Sequence, residues 1–299
     1  MKWSKKTFAM LVTLVLLSAV RVSAADSGKT GFNFLKVSPG ARNAGMGDIG
    51  VAVTSNLYGV YFNPAVIADI KETWVGFMHH ENIFDSRREF VGVATPLLGG
   101  ALSLGFDYFK IGSIESRQGP TEQPLGTFDA RDILVYGAVA VPVSERLSIG
   151  GTVKYAAERI ESQTASALLV DLGARFRPVE KVSLGFVGRN IGSSPKFVTE
   201  KFDVPVTIAG GIDLEVKNMT AGVEVSKPKN DDVKVNLGLE RYIMEFVSLR
   251  AGYKFGYDEE NMAFGVGFAK SIWRVDYAFV PFKSGLGTNH RFALTVQFK

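Results

Sequence analysis

Three kinds of residue in this sequence have the types and spacing for chemistry, and the first is a set of glycines. Gly45, Gly47 and Gly50 follow the spacing of a dinucleotide-binding loop, and Asp69 stands where a ribose-binding acid is expected, about twenty residues further on. Such a loop needs a strand before it and a helix after it, and no strand-turn-helix pattern occurs here. The glycines are therefore interpreted as places of close backbone packing, and no nucleotide cofactor is predicted.

Histidines and acids form the second kind, because they could bind a metal or act in catalysis. His79 and His80 are adjacent, so they face opposite sides of a strand and cannot hold one ion together, and His290 stands alone. There is no cysteine, and no serine, histidine and acid occur together in a recognisable catalytic motif. The sequence predicts no metal site, no cofactor and no enzyme.

Acid and base pairs form the third kind. Asp171 and Arg175 fall on the same face of one predicted strand, and so do Asp276 and Arg274. With Arg250, these side chains could line a polar path through the protein. They could instead form ion pairs between a barrel wall and a segment inside it, and this is the favoured interpretation.

The element that must position these side chains is a strand with two different faces. Near the end of the chain Phe292, Leu294, Val296 and Phe298 alternate with small or polar residues, so the large apolar side chains share one face. The same alternation recurs from residue 73 onward. It predicts fourteen strands, at residues 73–80, 88–97, 101–111, 129–142, 146–161, 164–178, 181–190, 203–216, 218–227, 232–242, 245–258, 261–271, 272–281 and 288–298.

The connections between the predicted strands alternate as well. Every second connection is tight, such as residues 98–100 and 143–145, and the others are polar and mostly longer, such as residues 112–128 and 191–202. Outer-membrane barrels have short periplasmic turns at one end and longer extracellular loops at the other. The pattern therefore favours an outer-membrane location over a soluble β-sandwich.

The two faces of the predicted strands differ in chemistry. One face is apolar, with Trp74, Trp273, Tyr253 and Tyr257 near strand ends, where they are predicted to form an aromatic girdle. The other carries charges that would cost several kcal/mol each if buried unpaired. A polar lumen removes that cost, so we predict an all-β fold, a closed antiparallel transmembrane β-barrel of about 14 strands. The inward charges are Asp107, Lys154, Asp171, Arg175, Asp213, Glu224, Lys234, Glu240, Arg250, Lys254, Arg274 and Asp276.

The charge of the chain is concentrated at its start. Of 299 residues 46% are hydrophobic and 21% charged, and the formal net charge is +4. Four basic residues flank an apolar run at residues 8–19, and a small-residue pattern that ends at Ala24 follows. Together these features predict a signal peptide over residues 1–24. Its removal leaves 30 basic and 30 acidic residues, so no nucleic-acid partner is predicted.

Residues 25–70 follow neither the helical nor the strand pattern. Glycines are frequent there, and Asn63 and Pro64 form a predicted turn before a short helix at residues 65–70. Such a segment needs a surface to pack against. We predict that residues 25–70 are a plug in the lumen of a barrel formed by residues 71–299.

Several stretches resemble a known family. Residues 40–47 (GARNAGMG), 51–53 (VAV) and 61–65 (YFNPA), with 249–253 (LRAGY), 276–282 (DYAFVPF) and 287–291 (GTNHR), are similar to the PorV/PorQ family within the FadL-like outer-membrane proteins. The resemblance spans most of the chain after residue 24. It implies a fourteen-stranded barrel with an amino-terminal plug and with Asn63 and Pro64 in the lumen.

Two functions remain open at this stage, besides a purely structural surface protein. The resemblance implies a part in protein secretion, with an exported protein or a secretion-channel component as the partner. The plug and its turn are also compatible with FadL-like transport of a small hydrophobic molecule, which needs an apolar pocket and an exit through the wall. The polar character of residues 112–128 favours secretion. In both cases outer-membrane lipid surrounds the barrel.

Overall fold

Fourteen strands form one closed antiparallel barrel. The structure is a computed structural model that describes residues 30–53, 56–120, 122–197 and 199–298, so the predicted signal peptide lies outside the described residues. Each barrel strand pairs with its neighbours along the chain, and the last strand closes the sheet on the first. The strands are β1 Thr73–Glu81, β2 Ser86–Leu97, β3 Gly100–Ser116, β4 Gly126–Pro142, β5 Leu147–Ile160, β6 Gln163–Val179, β7 Val182–Gly192, β8 Lys196–Phe197, β9 Glu200–Lys201, β10 Thr207–Val216, β11 Met219–Pro228, β12 Lys234–Met244, β13 Val247–Phe255, β14 Met262–Lys270, β15 Trp273–Pro281 and β16 Thr288–Phe298, of which β8 and β9 form a separate small hairpin.

Alternation along the strands sends apolar side chains outward and charged side chains inward. On β16, Phe292 and Phe298 are 48% and 47% exposed, whereas Arg291, directly before Phe292, is 1% exposed. The same holds on β6, where Leu168 and Leu172 are exposed and Asp171 is buried. The predicted assignment of the two faces is confirmed for these strands, and the apolar outer face fits a barrel surrounded by lipid.

Two members of the predicted aromatic girdle point into the barrel, so the prediction is wrong for them. Trp74 is buried with the other inward residues of β1. Tyr257 was predicted to continue a strand over residues 245–258, but β13 ends at Phe255, and Gly256 adopts a positive φ of 81°. The turn carries the Tyr257 ring inward, where its hydroxyl lies 3.3 Å from the side chain of Asn236.

The connections are sorted by length between the two ends of the barrel. At one end the turns have two to four residues: 98–99, 143–146, 180–181, 217–218, 245–246 and 271–272. We call this the tight-turn end. The other end, the long-loop end, carries residues 82–85, 117–125, 161–162, 193–206, 229–233, 256–261 and 282–287. The predicted sorting is confirmed, with residues 161–162 as a short exception.

Residues 30–53 and 56–70 form a segment of short helical turns joined by irregular backbone. They are the 3-10 helices Asn33–Lys36, Leu57–Tyr61 and Pro64–Ile67 and one α-helix, α1, Ala41–Gly45. Asn63 begins the last turn, because its side chain accepts a hydrogen bond of 3.0 Å from the backbone of Ala65, and proline suits the first helical position. The predicted helix over residues 65–70 is thus a shorter 3-10 turn.

This segment runs along the inner face of the strands from one end of the barrel to the other. Thr30 bridges to Asp203 in the connection before β10, at the long-loop end, and the chain enters β1 at the tight-turn end. Between these points the segment touches β1, β2, β4–β6 and β13–β16. Glycines allow the close approach: an ideal Cβ on Gly45 would lie 3.0 Å from Cα of Gly265, so backbone packs on backbone there.

Candidate functional site inside the barrel

The first interior cluster joins α1 to the wall through Glu240. The helix lies against β13–β16, and Nη2 of Arg42 is 2.6 Å from Oε2 of Glu240. The other oxygen of Glu240 accepts a hydrogen bond of 2.7 Å from Nε of Arg250. Burial alone would lower the pKa of Arg42, but the adjacent Glu240 carboxylate outweighs it and holds the pKa above its usual value. Arg42 was not among the predicted site residues, because nothing in the sequence gives its place against the wall.

Arg250 and Asp276, both predicted interior residues, are brought together across an intervening strand. Arg250 is on β13 and Asp276 on β15, and Nη2 of Arg250 is 2.7 Å from Oδ1 of Asp276. Strand β14 lies between them and presents Gly267, where an ideal Cβ would lie 2.8 Å from that same oxygen. The missing side chain is what allows the arginine to reach over β14. Arg274 lies at the tight-turn end of β15 and is half-buried.

The second cluster surrounds Asp48. Its carboxylate lies 2.6 Å from Nζ of Lys254, 3.3 Å from Nη1 of Arg291 and 2.5 Å from the hydroxyl of Ser38. Burial alone would raise the pKa of Asp48, but Lys254 and Arg291 outweigh it and hold the pKa well below its usual range. Two strands distant along the chain, β13 and β16, are thereby tied to one residue of the segment.

The third cluster is fixed by a β-bulge in β7. The register between β6 and β7 shifts next to Asp171, and Asn190 adopts a positive φ of 57°. Asp171 accepts a hydrogen bond of 2.7 Å from the backbone of Asn190 and lies 2.5 Å from Nζ of Lys154, which also donates to the Asn190 side chain. The acid of the predicted Asp171 and Arg175 pair thus pairs with a neighbouring strand instead.

Arg175 meets the segment at the tight-turn end. Its guanidinium pairs with Asp69, and Nη2 of Arg177 lies 2.7 Å from the same carboxylate. These side chains line a cavity of about 270 Å³ beside Trp74. At the opposite end of the interior Arg88 is fully buried, pairs with Asp107 and donates to backbone carbonyls of the segment.

Asn63 and Pro64 lie where the segment meets β5 and β6. Asn63 is fully buried, and its side chain donates to the carbonyls of Val51, at 2.8 Å, and Ala174, at 3.0 Å. Pro64 packs on the inner side of β5, at a position that holds glycine. The turn is thus hydrogen-bonded to the wall, and its polar atoms are satisfied within the protein.

Apolar packing covers the interior at the long-loop end. Phe32 and Phe34 lie in a cluster with Leu134 and Leu169 from the wall, and Phe202 from the connection before β10 packs against it. The Phe32 and Phe202 rings have centroids 5.6 Å apart. Within the part of the chain that is described, no three histidine or acid side chains are arranged to hold a metal ion.

The histidines face opposite ways, as predicted. His79 points outward, with Nδ1 2.7 Å from Oε1 of Glu89, and His80 is fully buried inside the barrel.

None of the helices in the described ranges is both long and apolar enough to cross a membrane.

Comparison with known proteins identifies one family. The family model described as "Type IX secretion system protein PorV" matches residues 23–191, more than half of the chain. No curated protein matches the chain. The matched residues cover the segment that precedes β1 and the strands from β1 to β7, up to Ile191. They include the resembling stretches 40–47, 51–53 and 61–65.

Solved structures with the same fold are outer-membrane channels. The toluene transporter TodX of Pseudomonas putida is 10% identical, with 87% of this chain and 97% of that chain covered and a TM-score of 0.58. A FadL homologue of Pseudomonas aeruginosa is 11% identical, with 88% and 98% covered and a TM-score of 0.59. The monoaromatic hydrocarbon channel CymD is 13% identical, with 87% and 97% covered and a TM-score of 0.60. At these identities the likeness shows the fold alone, a closed outer-membrane barrel.

Proposed function

Because the chain belongs to the family of the type IX secretion system protein PorV, we propose that it supports the export of proteins across the outer membrane. In this role the barrel is a membrane-anchored scaffold and does not itself conduct the cargo. Its partner is an exported protein or a component of the secretion channel. The partner binds at the long-loop end, which faces the cell exterior, as the longer loops of outer-membrane barrels do.

The observation that supports this proposal is the occupied interior. Residues 25–70 are proposed to act as a plug, of which residues 30–53 and 56–70 are described. Ion pairs link this segment to the wall at Glu240, Lys254, Arg291 and Arg175. A conducting pore would need this segment to leave or to move. Residues 1–24 are proposed to be the signal peptide that directs export.

Each predicted site residue has a part in this proposal. Asp276 holds Arg250, which binds Glu240 and hence supports α1. Arg175 holds the end of the segment. Asp171 supports the bulge beside Asn63 and Pro64, and these two residues anchor the turn of the plug. Arg274 is proposed to contribute to the polar lining at the tight-turn end.

A second candidate function is the passage of a small hydrophobic molecule. The bulge in β7 favours it, because a bulge can weaken strand pairing and open a path through the wall. The likeness to hydrocarbon channels in fold is compatible with it. The charged interior argues against it, since a hydrophobic molecule would displace paired charges instead of entering an apolar pocket.

One set of strains separates the two functions. The gene is deleted, and the deletion strain is complemented either by the wild type or by a variant whose residues 117–125 are replaced by a short turn. A variant with a substitution in the tight turn 143–146 is the matched control. Secreted and surface-displayed proteins are quantified beside the uptake of a hydrophobic fluorescent probe. Lost secretion with unchanged uptake, in the deletion and in the 117–125 variant, is expected. Unchanged secretion in the deletion strain would refute the proposal.

A further inference from the structure

One side of the outer surface carries an apolar groove within the lipid-facing band. It has a volume of about 350 Å³ and is formed by β4, β5 and β6. Its walls are the exposed side chains of Val139 and Val141 on β4, Ile149 on β5 and Leu172 on β6. Gly151 forms its floor, because it occupies an outward position between Ile149 and Val153 but has no side chain.

The glycine in the floor is not required by the packing of the wall. An ideal Cβ on Gly151 would lie 3.6 Å from Leu172 and 3.7 Å from the nearest carbonyl oxygen, which are ordinary contacts. Inward glycines of the same strands differ, since an ideal Cβ on Gly150 would lie 2.6 Å from the backbone nitrogen of Ala65. Space at Gly151 is thus left open toward the membrane, where neighbouring outward positions are filled by large aliphatic side chains.

The turn beyond one end of the groove carries a basic side chain. The turn 143–146 between β4 and β5 contains exposed Arg146, whose carbonyl accepts a hydrogen bond of 2.7 Å from the backbone of Arg177 on β6. Lys181 lies in the next turn, and the acids of these two turns are Glu145 and Glu180. Arg177 faces the interior and pairs with Asp69, and the two bases and two acids of the turns balance. Arg146 is therefore the side chain that suits a phosphate at the membrane surface.

We propose that this groove is a binding site for one phospholipid, with an acyl chain between the β4 and β6 side chains and its phosphate beside Arg146. The groove is continuous with the hydrocarbon-facing surface of the barrel, so an acyl chain is the occupant that reaches it without crossing a polar layer. The lipid comes from the leaflet at the tight-turn end. Behind it the wall is a single backbone layer, with Asn63 and Pro64 on its inner side.

The test uses the full chain purified in detergent and native mass spectrometry after addition of dioleoyl phosphatidylethanolamine. The wild type is expected to retain one lipid through collisional activation. Gly151→Leu fills the groove floor and is expected to lower retention at least about tenfold, the equivalent of about 1.4 kcal/mol. Gly137→Leu is the matched control, because Gly137 is also outward, its ideal Cβ would lie 3.5 Å from Leu104, and it does not line the groove.

The outcomes are distinct. Equal retention by the wild type and Gly151→Leu, or an equal loss in Gly137→Leu, would overturn the proposal. Equal retention of dioleoyl glycerol would overturn the phosphate contact, and Arg146→Gln is expected to weaken phospholipid retention without changing that of dioleoyl glycerol. A protein dimer that Gly151→Leu abolishes, with no bound lipid, would assign the groove to a second copy of the chain. The heat-dependent gel mobility of each variant confirms that the barrel is folded.

Discussion

Substitution of Glu240 by glutamine should loosen the segment inside the barrel. Glu240 is fully buried and accepts hydrogen bonds from Arg42 on the segment and Arg250 on the wall. The neutral amide keeps the shape of the side chain but removes the charge that compensates the two guanidinium groups. Arg250 keeps Asp276, so the loss falls mainly on Arg42.

The expected magnitude follows from burial. Removing one partner of a buried ion pair costs about 3–5 kcal/mol, because the remaining charge is left in a site that water does not reach. Glu145→Gln is the matched control, since Glu145 is exposed in a tight turn and such substitutions change stability by about 0.5 kcal/mol or less. The free energy of unfolding is measured by urea titration in phospholipid vesicles, with folded and unfolded barrel separated by gel mobility.

A double-mutant cycle identifies the partner. Arg42→Gln and Glu240→Gln together should cost less than the sum of the single changes, with a coupling of about 0.5–3 kcal/mol, because the residues are in direct contact. Conductance across planar bilayers is recorded for the same proteins, and a rise in Glu240→Gln alone would report movement of the segment. The reasoning is refuted if Glu240→Gln unfolds at the same urea concentration as Glu145→Gln.

Three further predictions address the other contacts. Gly267→Val should force Arg250 away from Asp276 and lower the free energy of unfolding by about 1–3 kcal/mol, as overpacking does, measured by urea titration. Asp48→Asn should have a lower free energy of unfolding than the wild type, and the difference should be largest above about pH 4. The reason is that the pKa of Asp48 is lower in the folded protein than in the unfolded chain. The difference between the two proteins should shrink as the pH falls below about 4, and a constant difference from pH 3 to 7 would contradict it. Lys154→Met should cost about 3 kcal/mol or more by stranding the buried carboxylate that it pairs with, and a urea midpoint equal to that of the wild type would contradict it.

The strands could be predicted because each one carries its own signal. In β16 the side chains alternate between lipid and lumen, and a period of two in the sequence is enough to locate the strand and assign its faces. The prediction failed where a local turn breaks that period, as at Gly256, which redirects Tyr257. It also failed at Trp74, where the residue type suggested the membrane interface but the side chain is one of the inward residues of β1.

The partners of the interior charges could not be predicted, because they depend on which strands are neighbours and on what lies between them. Asp171 and Arg175 share a face of β6 but are four residues apart, or about 13 Å along a strand. Lys154, on the neighbouring strand, is closer to Asp171. Arg250 reaches Asp276 across a whole strand because Gly267 leaves a gap, and no single-strand pattern records that.

The paired charges inside the barrel bear on where function resides. For the segment to leave, the contacts of Arg42, Asp48 and Asp69 with the wall must break. The pairs of Arg42 and Asp48 are buried, and breaking each of them costs several kcal/mol until water fills the lumen and hydrates the separated charges. Partial movement is therefore the costly intermediate, because it separates the charges before water can reach them. A small hydrophobic molecule supplies no charge to compensate them and so gives little driving force for that step. A protein partner at the long-loop end requires no such movement, which places the proposed activity on the loops and leaves the barrel as their anchor.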